Sequence, residues 1–386
     1  MPNQKTMPFN EQINIDKLDL RDAIVMSRLG EVGSQVCLRL LSSFGSVAEI
    51  MDAAPDVLRR VRRIDERTLA KLLQIRTLTD VDEIIGQCND DGITIVSYND
   101  PRYPAPLRSI ADPPAALYVR GTLLEQDSFA IAVIGTRKMS VYGKRMTNVL
   151  TDKLARAGLT IVSGLARGID GVAHFAALNA GGRTIAVLGG GHRHLFPAEH
   201  IPLADNIVES GGAVISEYPP MIMPSRKTFP QRNRIVSGLS LGVVVIEAPI
   251  ASGTMITARL ALEQGRELFA VPGQADQENS HGCHSLIRDG ATLAETADDI
   301  INTLGPLTNP LQHPKNEKPI SHPLELQLNE IEKEVLQFID RNETPIELII
   351  KKQSNLEPTQ ITAAISVLAK KGIVRIKDGT HAARLS

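Results

Sequence analysis

The segment Ser225–Arg234 carries the side chains of this chain that are best suited to bind a polyanion. Phe229, a rare residue type in a chain with 3% aromatics, lies among four cations and no acid. The four cations are Arg226, Lys227, Arg232 and Arg234. Cations neutralise a nucleic-acid backbone, and an aromatic ring stacks on unpaired bases. The segment therefore predicts a groove for a single strand of nucleic acid.

A structural role for the last two cations of this segment is an open alternative. In that interpretation, Arg232 and Arg234 pair with buried carboxylates such as Glu217 or Glu247. A guanidinium that is buried against a carboxylate has few donors left for phosphate. We expect at least one of the two arginines to be structural.

Three further loops place glycine beside hydroxyl or basic residues directly after an apolar run. They are Gly135-Thr136-Arg137, Ser163-Gly164-Leu165-Ala166-Arg167-Gly168 and Ser252-Gly253-Thr254. Each precedes a helix-like segment, whose free amides favour an anion, and glycine lets a phosphate approach the backbone. Each loop taken alone is equally consistent with a tight turn that carries a surface side chain. Asp170 either holds one of the neighbouring arginines or caps a helix.

The loop Gly189–His194 follows another apolar run and has two interpretations. Three consecutive glycines suit a close approach to a sugar-phosphate backbone, and a flexible turn is the competing interpretation. His192 and His194 lack a third ligand at helical spacing, so no metal site is expected. His174, beside small residues on a predicted helix, is expected to be a packed core histidine and not a catalytic base.

The composition limits the class of protein. The 386 residues carry a formal net charge of −2, so any attraction for nucleic acid must come from a local patch. The three cysteines are isolated, and the N-terminal segment is polar. No apolar run is long enough to span a bilayer. We therefore expect a cytoplasmic protein with no membrane span, no metal and no cofactor.

The chain divides into regions of different pattern. Residues 18–90 repeat apolar side chains at helical spacing, which predicts a helical domain. Residues 91–304 alternate short apolar runs with helix-length segments, which predicts an α/β, Rossmann-like domain with a doubly wound parallel sheet. The predicted strands are Ala130–Ile134, Thr160–Ser163, Thr184–Leu188, Ala213–Ser216, Gly242–Glu247 and Leu268–Val271. The predicted helices include Lys144–Arg156, Ile169–Asn179 and Thr254–Gln264.

The last part of the chain predicts a linker and a third domain. Frequent prolines over residues 305–324 predict a stiff, extended connector. Residues 325–386 predict three helices and a hairpin over Ile373–Lys377 and Thr380–Leu385, which is the order of a winged helix. Nine acidic residues balance nine basic ones in this domain, so it is not expected to be the main DNA anchor.

Taken together, these motifs resemble the DNA-processing protein A (DprA, or Smf) family. The motifs follow the family's order over residues 95–304: Tyr103-Pro104, Asp112-Pro113-Pro114, Gly135–Arg137, Ser163–Asp170, Phe229–Arg234, Ser252-Gly253, Glu263–Arg266, Ala270–Gly273 and Gly282-Cys283. The resemblance implies a non-catalytic, homodimeric protein with a Rossmann-like core that prefers single-stranded DNA. It also implies that the protein protects incoming DNA and helps to load the RecA recombinase during natural transformation.

The expected DNA contacts combine these motifs with the strand-end loops. They are Gly135, Thr136, Arg137, Ser163, Gly164, Arg167, Gly168, Lys227, Phe229, Arg232, Asn233, Arg234, Ser252, Gly253 and Thr254. Two positions depart from the family pattern. Arg193 stands near a position where the family commonly has aspartate. Glu31 lies in a turn that otherwise resembles a helix-hairpin-helix (SAM-like) phosphate turn, and its carboxylate is expected to repel phosphate.

Two enzyme classes compete with this interpretation. A nucleotide phosphoribohydrolase of the lysine-decarboxylase-like group needs a catalytic glutamate where Thr257 stands, so the acid–base group is missing. An NAD-dependent dehydrogenase needs a Gly-x-Gly-x-x-Gly motif after the first strand, which this sequence lacks. The sequence therefore favours a DNA-binding protein without catalytic residues.

Overall fold

The computed structural model describes residues 18–305, 330–336, 338–339, 344–352, 356–370, 373–378 and 380–384. Within these ranges, no helix is both long enough and apolar enough to cross a membrane. Apolar side chains of the first range form cores on both faces of a central sheet and among the N-terminal helices. Those of the later ranges form a core of their own around Ile365.

Within residues 18–90, the chain folds into helices. They are α1 (Leu20–Leu29), α2 (Ser34–Phe44), α3 (Val47–Asp52), α4 (Pro55–Arg59), α5 (Glu66–Leu78) and α6 (Val81–Asp90). Aspartates begin three of them, because Asp19, Asp65 and Asp80 accept hydrogen bonds from the backbone amides of α1, α5 and α6. Leu40 and Leu72 are buried at the centre of this helical cluster.

Within residues 91–305, nine strands form one sheet in the order β1-β2-β6-β5-β4-β3-β7-β8-β9. They are β1 (Ile93–Ser97), β2 (Ala116–Gly121), β3 (Ala130–Ile134), β4 (Thr160–Ser163), β5 (Thr184–Val187), β6 (Ala213–Ser216), β7 (Gly242–Val245), β8 (Glu267–Ala270) and β9 (Thr292–Leu293). The strands from β6 to β9 in this order are parallel, whereas β1 and β2 pair antiparallel. The predicted α/β fold is confirmed, with a sheet that is mostly parallel.

Helices cover both faces of this sheet. They are α7 (Ala105–Arg108), α8 (Val141–Arg156), α9 (Ile169–Asn179), α10 (Ile201–Glu209), α11 (Thr228–Gly238), α12 (Gly253–Glu263), α13 (Glu278–Arg288) and α14 (Ala297–Leu304). Leu150 of α8 packs on one face with Ile131, while Ala258 of α12 packs on the other face with Ala132. The chain leaves β3 and β7 in opposite directions, so the sheet has its topological switch point between these two strands.

The described C-terminal ranges contain three helices and a three-stranded antiparallel sheet. The elements are α15 (Glu330–Leu336), β10 (Thr344–Pro345), α16 (Ile346–Lys352), α17 (Pro358–Lys370), β11 (Val374–Lys377) and β12 (His381–Arg384). The sheet order is β10-β12-β11. The predicted hairpin corresponds to β11 and β12. The predicted linker lies, beyond Gly305, outside the described residues.

Candidate nucleic-acid interface

An open pocket of about 520 Å³ lies at the switch point between β3 and β7. Its walls come from the loops after β3, β4 and β7 and from the start of α11. The residues that line it are Ile134, Gly135, Thr136, Arg137, Gly164, Ala166, Asp170, Arg226, Phe229, Pro230, Arg232, Asn233, Val236, Ser252, Gly253, Thr254, Ile256 and Thr257. Most of the predicted DNA contacts are therefore brought together at the carboxyl end of the parallel strands, where such sheets bind ligands.

Arg137 and Phe229 form the accessible wall of this pocket. Arg137 is exposed, and its guanidinium carbon lies 5.5 Å from the centre of the half-buried Phe229 ring. Phe229 rests on Gly189, where an added Cβ would lie only 2.6 Å from Cδ1 of the ring. The ring is therefore held in place from behind and presents its remaining surface to the pocket and to Arg137.

The three glycines Gly189–Gly191 have neither of the two predicted roles. All three are buried, and none lines the pocket among the described residues. Added side chains would collide with Phe229, with Pro224 and with the carbonyls of Pro219 and Pro220. These glycines allow the segment before α11 to pack closely on the loop after β5, which positions the cation-rich segment at the pocket.

Two buried charged residues, Arg232 and Asp170, line the pocket. Asp170 accepts a hydrogen bond from the Gly164 amide at 3.2 Å, and Arg232 donates to the Val187 carbonyl. Burial lowers the pKa of Arg232 to about 10, against the opposing effect of Asp170. Burial raises the pKa of Asp170, and the nearby Arg232 charge opposes that shift. Arg232 remains a predicted contact, but one that a ligand reaches only at the bottom of the pocket.

Arg234 is a correction to the predicted site. It is 3% exposed and lies outside the pocket walls. Its guanidinium pairs with Glu217 and with Asp112, the latter at 3.1 Å from Nε to Oδ2. Residues two apart on a helix point roughly 200° apart, so Arg232 faces the pocket and Arg234 faces the interior. The structural alternative is therefore confirmed for Arg234, with Glu217 as a partner.

Ser163 and Gly168 are further corrections. Ser163 is fully buried, and its Oγ donates to the Val133 carbonyl at 2.7 Å, so it supports the strand and does not reach the pocket. Gly168 has φ +81°, which favours glycine, and a Cβ there would collide with the backbone of Thr136 and Arg137. It fits the loop after β4 against the loop after β3.

Arg167 and Lys227 are exposed but do not line the pocket. Arg167 pairs with Glu199, with 3.0 Å between Nη2 and Oε2, and holds the pKa of that carboxyl down to about 2. Lys227 precedes α11 beside Arg226, which does line the pocket. The set of expected contacts omitted Arg226, although the run of cations marked it as clearly as Lys227.

The N-termini of α8 and α12 differ in whether their backbone amides are free to bind an anion. At α8, the predicted anion position is already filled, because the buried Glu247 carboxylate accepts hydrogen bonds from the Ser140 amide, at 2.9 Å, and from its hydroxyl. At α12, apart from the neighbouring residues and the adjacent backbone of the same helix, no described atom lies within 4 Å of a Cβ added at Gly253, and Ser252 and Thr254 line the same opening. The start of α12 is therefore the one of these two that is open to a phosphate.

The electrostatic balance of the pocket is positive. Among the described residues that line it, Asp170 is the one carboxylate, and it is buried and offset by the nearby charge of Arg232. Arg137 and Arg226 remain exposed at the opening. The pocket can therefore attract an anion although the whole chain has a formal net charge of −2.

The two departures from the family pattern lie away from the pocket. Arg193 donates to Asp91, with 2.7 Å between Nε and Oδ2. The Glu31 carboxylate pairs with Arg28 at 2.7 Å and with Lys71 at 3.6 Å. Arg193 and Glu31 therefore each form ion pairs within the chain.

Known proteins share this architecture. The family described as DNA recombination-mediator protein A matches residues 94–305. Protein Smf of Escherichia coli is 50% identical over 202 residues, which span 52% of this chain but only 54% of that protein. DNA processing protein DprA of Bacillus subtilis is 44% identical over 223 residues, or 57% of this chain and 74% of the relative. The crystal structure of DNA processing protein A from Streptococcus pneumoniae superposes with a TM-score of 0.61 at 33% identity, covering 74% of this chain and 98% of the other. The chain therefore belongs to the DNA recombination-mediator protein A family.

Proposed function

We propose that this chain binds single-stranded DNA at the switch-point pocket and acts in recombination without catalysing a reaction. The observation that carries the proposal is the pairing of exposed cations with an accessible ring. Arg137 and Arg226 can neutralise phosphates, and Phe229 can stack on a base beside them. The face of a base is available for such stacking only when the base is unpaired and unstacked from its neighbours.

The open start of α12 gives the strand a further point of attachment. Ser252, Gly253 and Thr254 are distant from Phe229 in sequence but line the same pocket. Backbone amides at a helix start bind a phosphate without reading the base. Together with the two arginines, this arrangement favours binding that depends on the backbone and on stacking, and therefore on strandedness more than on sequence.

The family relationship supports the wider role. A recombination mediator must deliver a single strand to a recombinase, and we propose that the partner is RecA and that the strand is DNA taken up in natural transformation. Protection of that strand follows if the pocket and its surroundings cover the backbone. We place this activity in the cytoplasm, where RecA acts on incoming DNA.

We propose the domain division that the sequence predicts. Residues 18–90 form a helical domain, residues 91–304 the DNA-binding domain, residues 305–324 a linker and residues 325–386 a winged helix. The helix and strand order of the described C-terminal ranges supports the last assignment.

We also propose a homodimer, on family grounds. Sedimentation at micromolar concentration should give twice the 41.9 kDa of one chain, and a monomer with and without DNA would contradict this.

A hydrolase function has less support. Thr257 lines the pocket at the position where the phosphoribohydrolase group needs its glutamate. A threonine hydroxyl does not ionise near neutral pH, so it cannot act as a general acid or base in the way that a carboxyl group does. Release of adenine from AMP by the purified protein would support the hydrolase alternative.

The test is a set of binding isotherms with oligothymidine at several salt concentrations. Arg137→Ala, Arg226→Ala and Lys227→Ala should each weaken binding, and each lost phosphate contact should flatten the log–log salt dependence by about 0.7. The effect of Lys227→Ala should be the smallest, because Lys227 lies outside the pocket walls.

The matched control for these variants is Arg288→Ala. Arg288 is exposed at the last residue of α13, roughly 15 Å along that helix from its first turn. The substitution Arg288→Ala removes the same charge at a position that does not line the pocket. The salt-dependence slope of this variant should therefore equal that of the wild type. Equal slopes for the control and for Arg137→Ala would contradict the proposed site.

A further inference from the structure

Phe196 is a second aromatic ring beside the pocket. It lies in the loop between β5 and α10, and 47% of its surface is exposed. Its ring centre is 5.9 Å from that of Phe229, with an angle of 56° between the two planes. Phe229 is the one aromatic residue among the described residues that line the pocket, and the exposed Phe196 ring lies beside it.

The two rings belong to a row that has a cation at each end. Arg137 lies 5.5 Å from the centre of Phe229, and Arg167 lies 5.9 Å from the centre of Phe196. Both arginines are exposed. The row therefore has two adjacent rings, each able to stack on a base, between two cations that can neutralise phosphates.

The loop that carries Phe196 is held at several points. The Gly191 amide donates to the Ile222 carbonyl at 2.7 Å, and the Arg193 amide donates to Pro220 at 3.1 Å. Four residues after Phe196, His200 hydrogen-bonds the Leu165 carbonyl through Nδ1 at 2.9 Å. These contacts tie the loop to the segment before α11 and to the loop after β4. The ring is therefore presented in a fixed position, which reduces the entropy lost on binding.

We propose that Phe196 is a second base-stacking platform, so that the site takes at least two consecutive unpaired nucleotides, one on Phe229 and the next on Phe196. The 5.9 Å between the rings exceeds the ~3.4 Å rise per base along a duplex strand, so the two bases are splayed apart and not stacked on each other. Nε and Nη2 of Arg167 donate to Glu199, so Arg167 then contacts the backbone beyond the second base through Nη1. This inference rests on the proposed function of the pocket.

The absence of tryptophan from the sequence provides a direct reporter. Three variants each carry a single tryptophan, namely Phe196→Trp, Phe229→Trp and the control Leu262→Trp. In each, the replaced side chain is apolar, so the apolar character of the position is kept. Leu262 is 56% exposed near the far end of α12, roughly 12 Å along the helix from Thr254. Oligothymidine should quench the emission of the first two proteins and leave that of the Leu262→Trp protein unchanged.

Oligonucleotides with one abasic position measure the energetic contribution of each ring. In the wild-type protein, a second abasic position next to the first should weaken binding by about a further tenfold, since each stacked base contributes. In Phe196→Ala, that second position should have little effect, while long oligothymidine binds about tenfold more weakly than to the wild type. Thermal unfolding of each variant checks that the fold is retained.

The outcomes separate this inference from the proposed function. Quenching in Phe229→Trp without quenching in Phe196→Trp overturns the second platform and leaves the pocket in place. Weaker binding by Phe196→Ala with an undiminished penalty for the second abasic position also overturns it, because Phe196 then only supports Phe229. No quenching in either protein, with binding retained, overturns the proposed pocket itself.

Discussion

The two halves of Ser225–Arg234 contain the same residue types in different environments. In the first half, Arg226 is exposed at the pocket, Phe229 forms part of its wall, and Lys227 is exposed outside it. In the second half, Arg232 and Arg234 are 4% and 3% exposed within α11. In the second half, Arg234 pairs with interior carboxylates and Arg232 is buried in the pocket lining, whereas Arg226 in the first half is accessible to a ligand. The number of cations in a segment is therefore not the number of phosphate contacts.

The physical difference lies in what replaces water around each guanidinium. Arg137 and Arg226 remain hydrated, and their removal leaves no buried charge behind. Arg234 is surrounded by Glu217 and Asp112, whose charges would be left without compensation in its absence. The comparison predicts that substitutions in the first half change DNA affinity and that substitutions in the second half change stability.

The largest expected effect follows from Arg234→Ala. Removal of one partner from a buried ion pair typically costs about 3–5 kcal/mol, because the other charge stays buried. Urea unfolding should show a loss of that order in the free energy of unfolding, while Arg226→Ala should change it by less than about 0.5 kcal/mol. Similar stabilities for the two variants would remove the distinction between the two halves.

A second effect concerns pH and again separates buried from exposed groups. Burial lowers the pKa of His192 from 6.5 to about 4. The unfolded chain therefore binds a proton below pH 6.5 that the folded chain excludes, so stability is present above that pH and falls as the pH drops toward 4.

His192→Asn measures this contribution. The free energy of unfolding of the wild type should fall between pH 6.5 and 4 by about 3 kcal/mol more than that of the variant. Binding of oligothymidine by the folded protein should change less than its stability over this range, because His192 does not line the pocket. Parallel pH curves for the two proteins would show that His192 becomes protonated without unfolding.

Phe229→Ala is expected to have an intermediate effect that depends on the ligand. Loss of stacking should weaken oligothymidine binding by about 1–3 kcal/mol, whereas heparin, which has no bases, should be affected less. Phe229 also packs on Gly189, so thermal unfolding of the variant is the necessary control. Equal losses for both ligands would indicate that the ring acts only by shaping the pocket.

The smallest expected effect is that of ending the chain at Gly305. The described C-terminal ranges have a core of their own, and residues 325–386 carry balanced charge. The shortened protein should keep its single-strand affinity to within tenfold, or about 1.4 kcal/mol. A larger loss in a folded protein would assign a main share of binding to the C-terminal region.

The sequence predicted the central sheet well because its parallel strands are buried on both faces. Ala130–Ile134 and Thr160–Ser163 are uninterrupted apolar or small runs that match β3 and β4 to the residue. The antiparallel strands β1 and β2 were not predicted. β1 lies at the sheet edge and mixes buried with exposed positions, a weaker pattern over five residues.

The site was predicted in its motifs but not in the orientation of each side chain. Arg232 and Arg234 differ only in helix phase and in the partner that tertiary structure brings to each, and neither is visible in a local pattern. Glu247 likewise caps α8, which lies more than a hundred residues earlier in the chain. Phe196 was missed because its neighbour Phe229 is distant in sequence and no cation run marks it.

Photocrosslinking of oligothymidine that carries 4-thiothymidine tests the central claim most directly. The reactive base should attach to the peptide that contains Phe229, and Arg137→Ala should reduce the yield while Arg288→Ala leaves it unchanged. Crosslinks concentrated in α17 or in the N-terminal helices, with the Phe229 peptide unmodified, would contradict the assignment of the switch-point pocket as the DNA site.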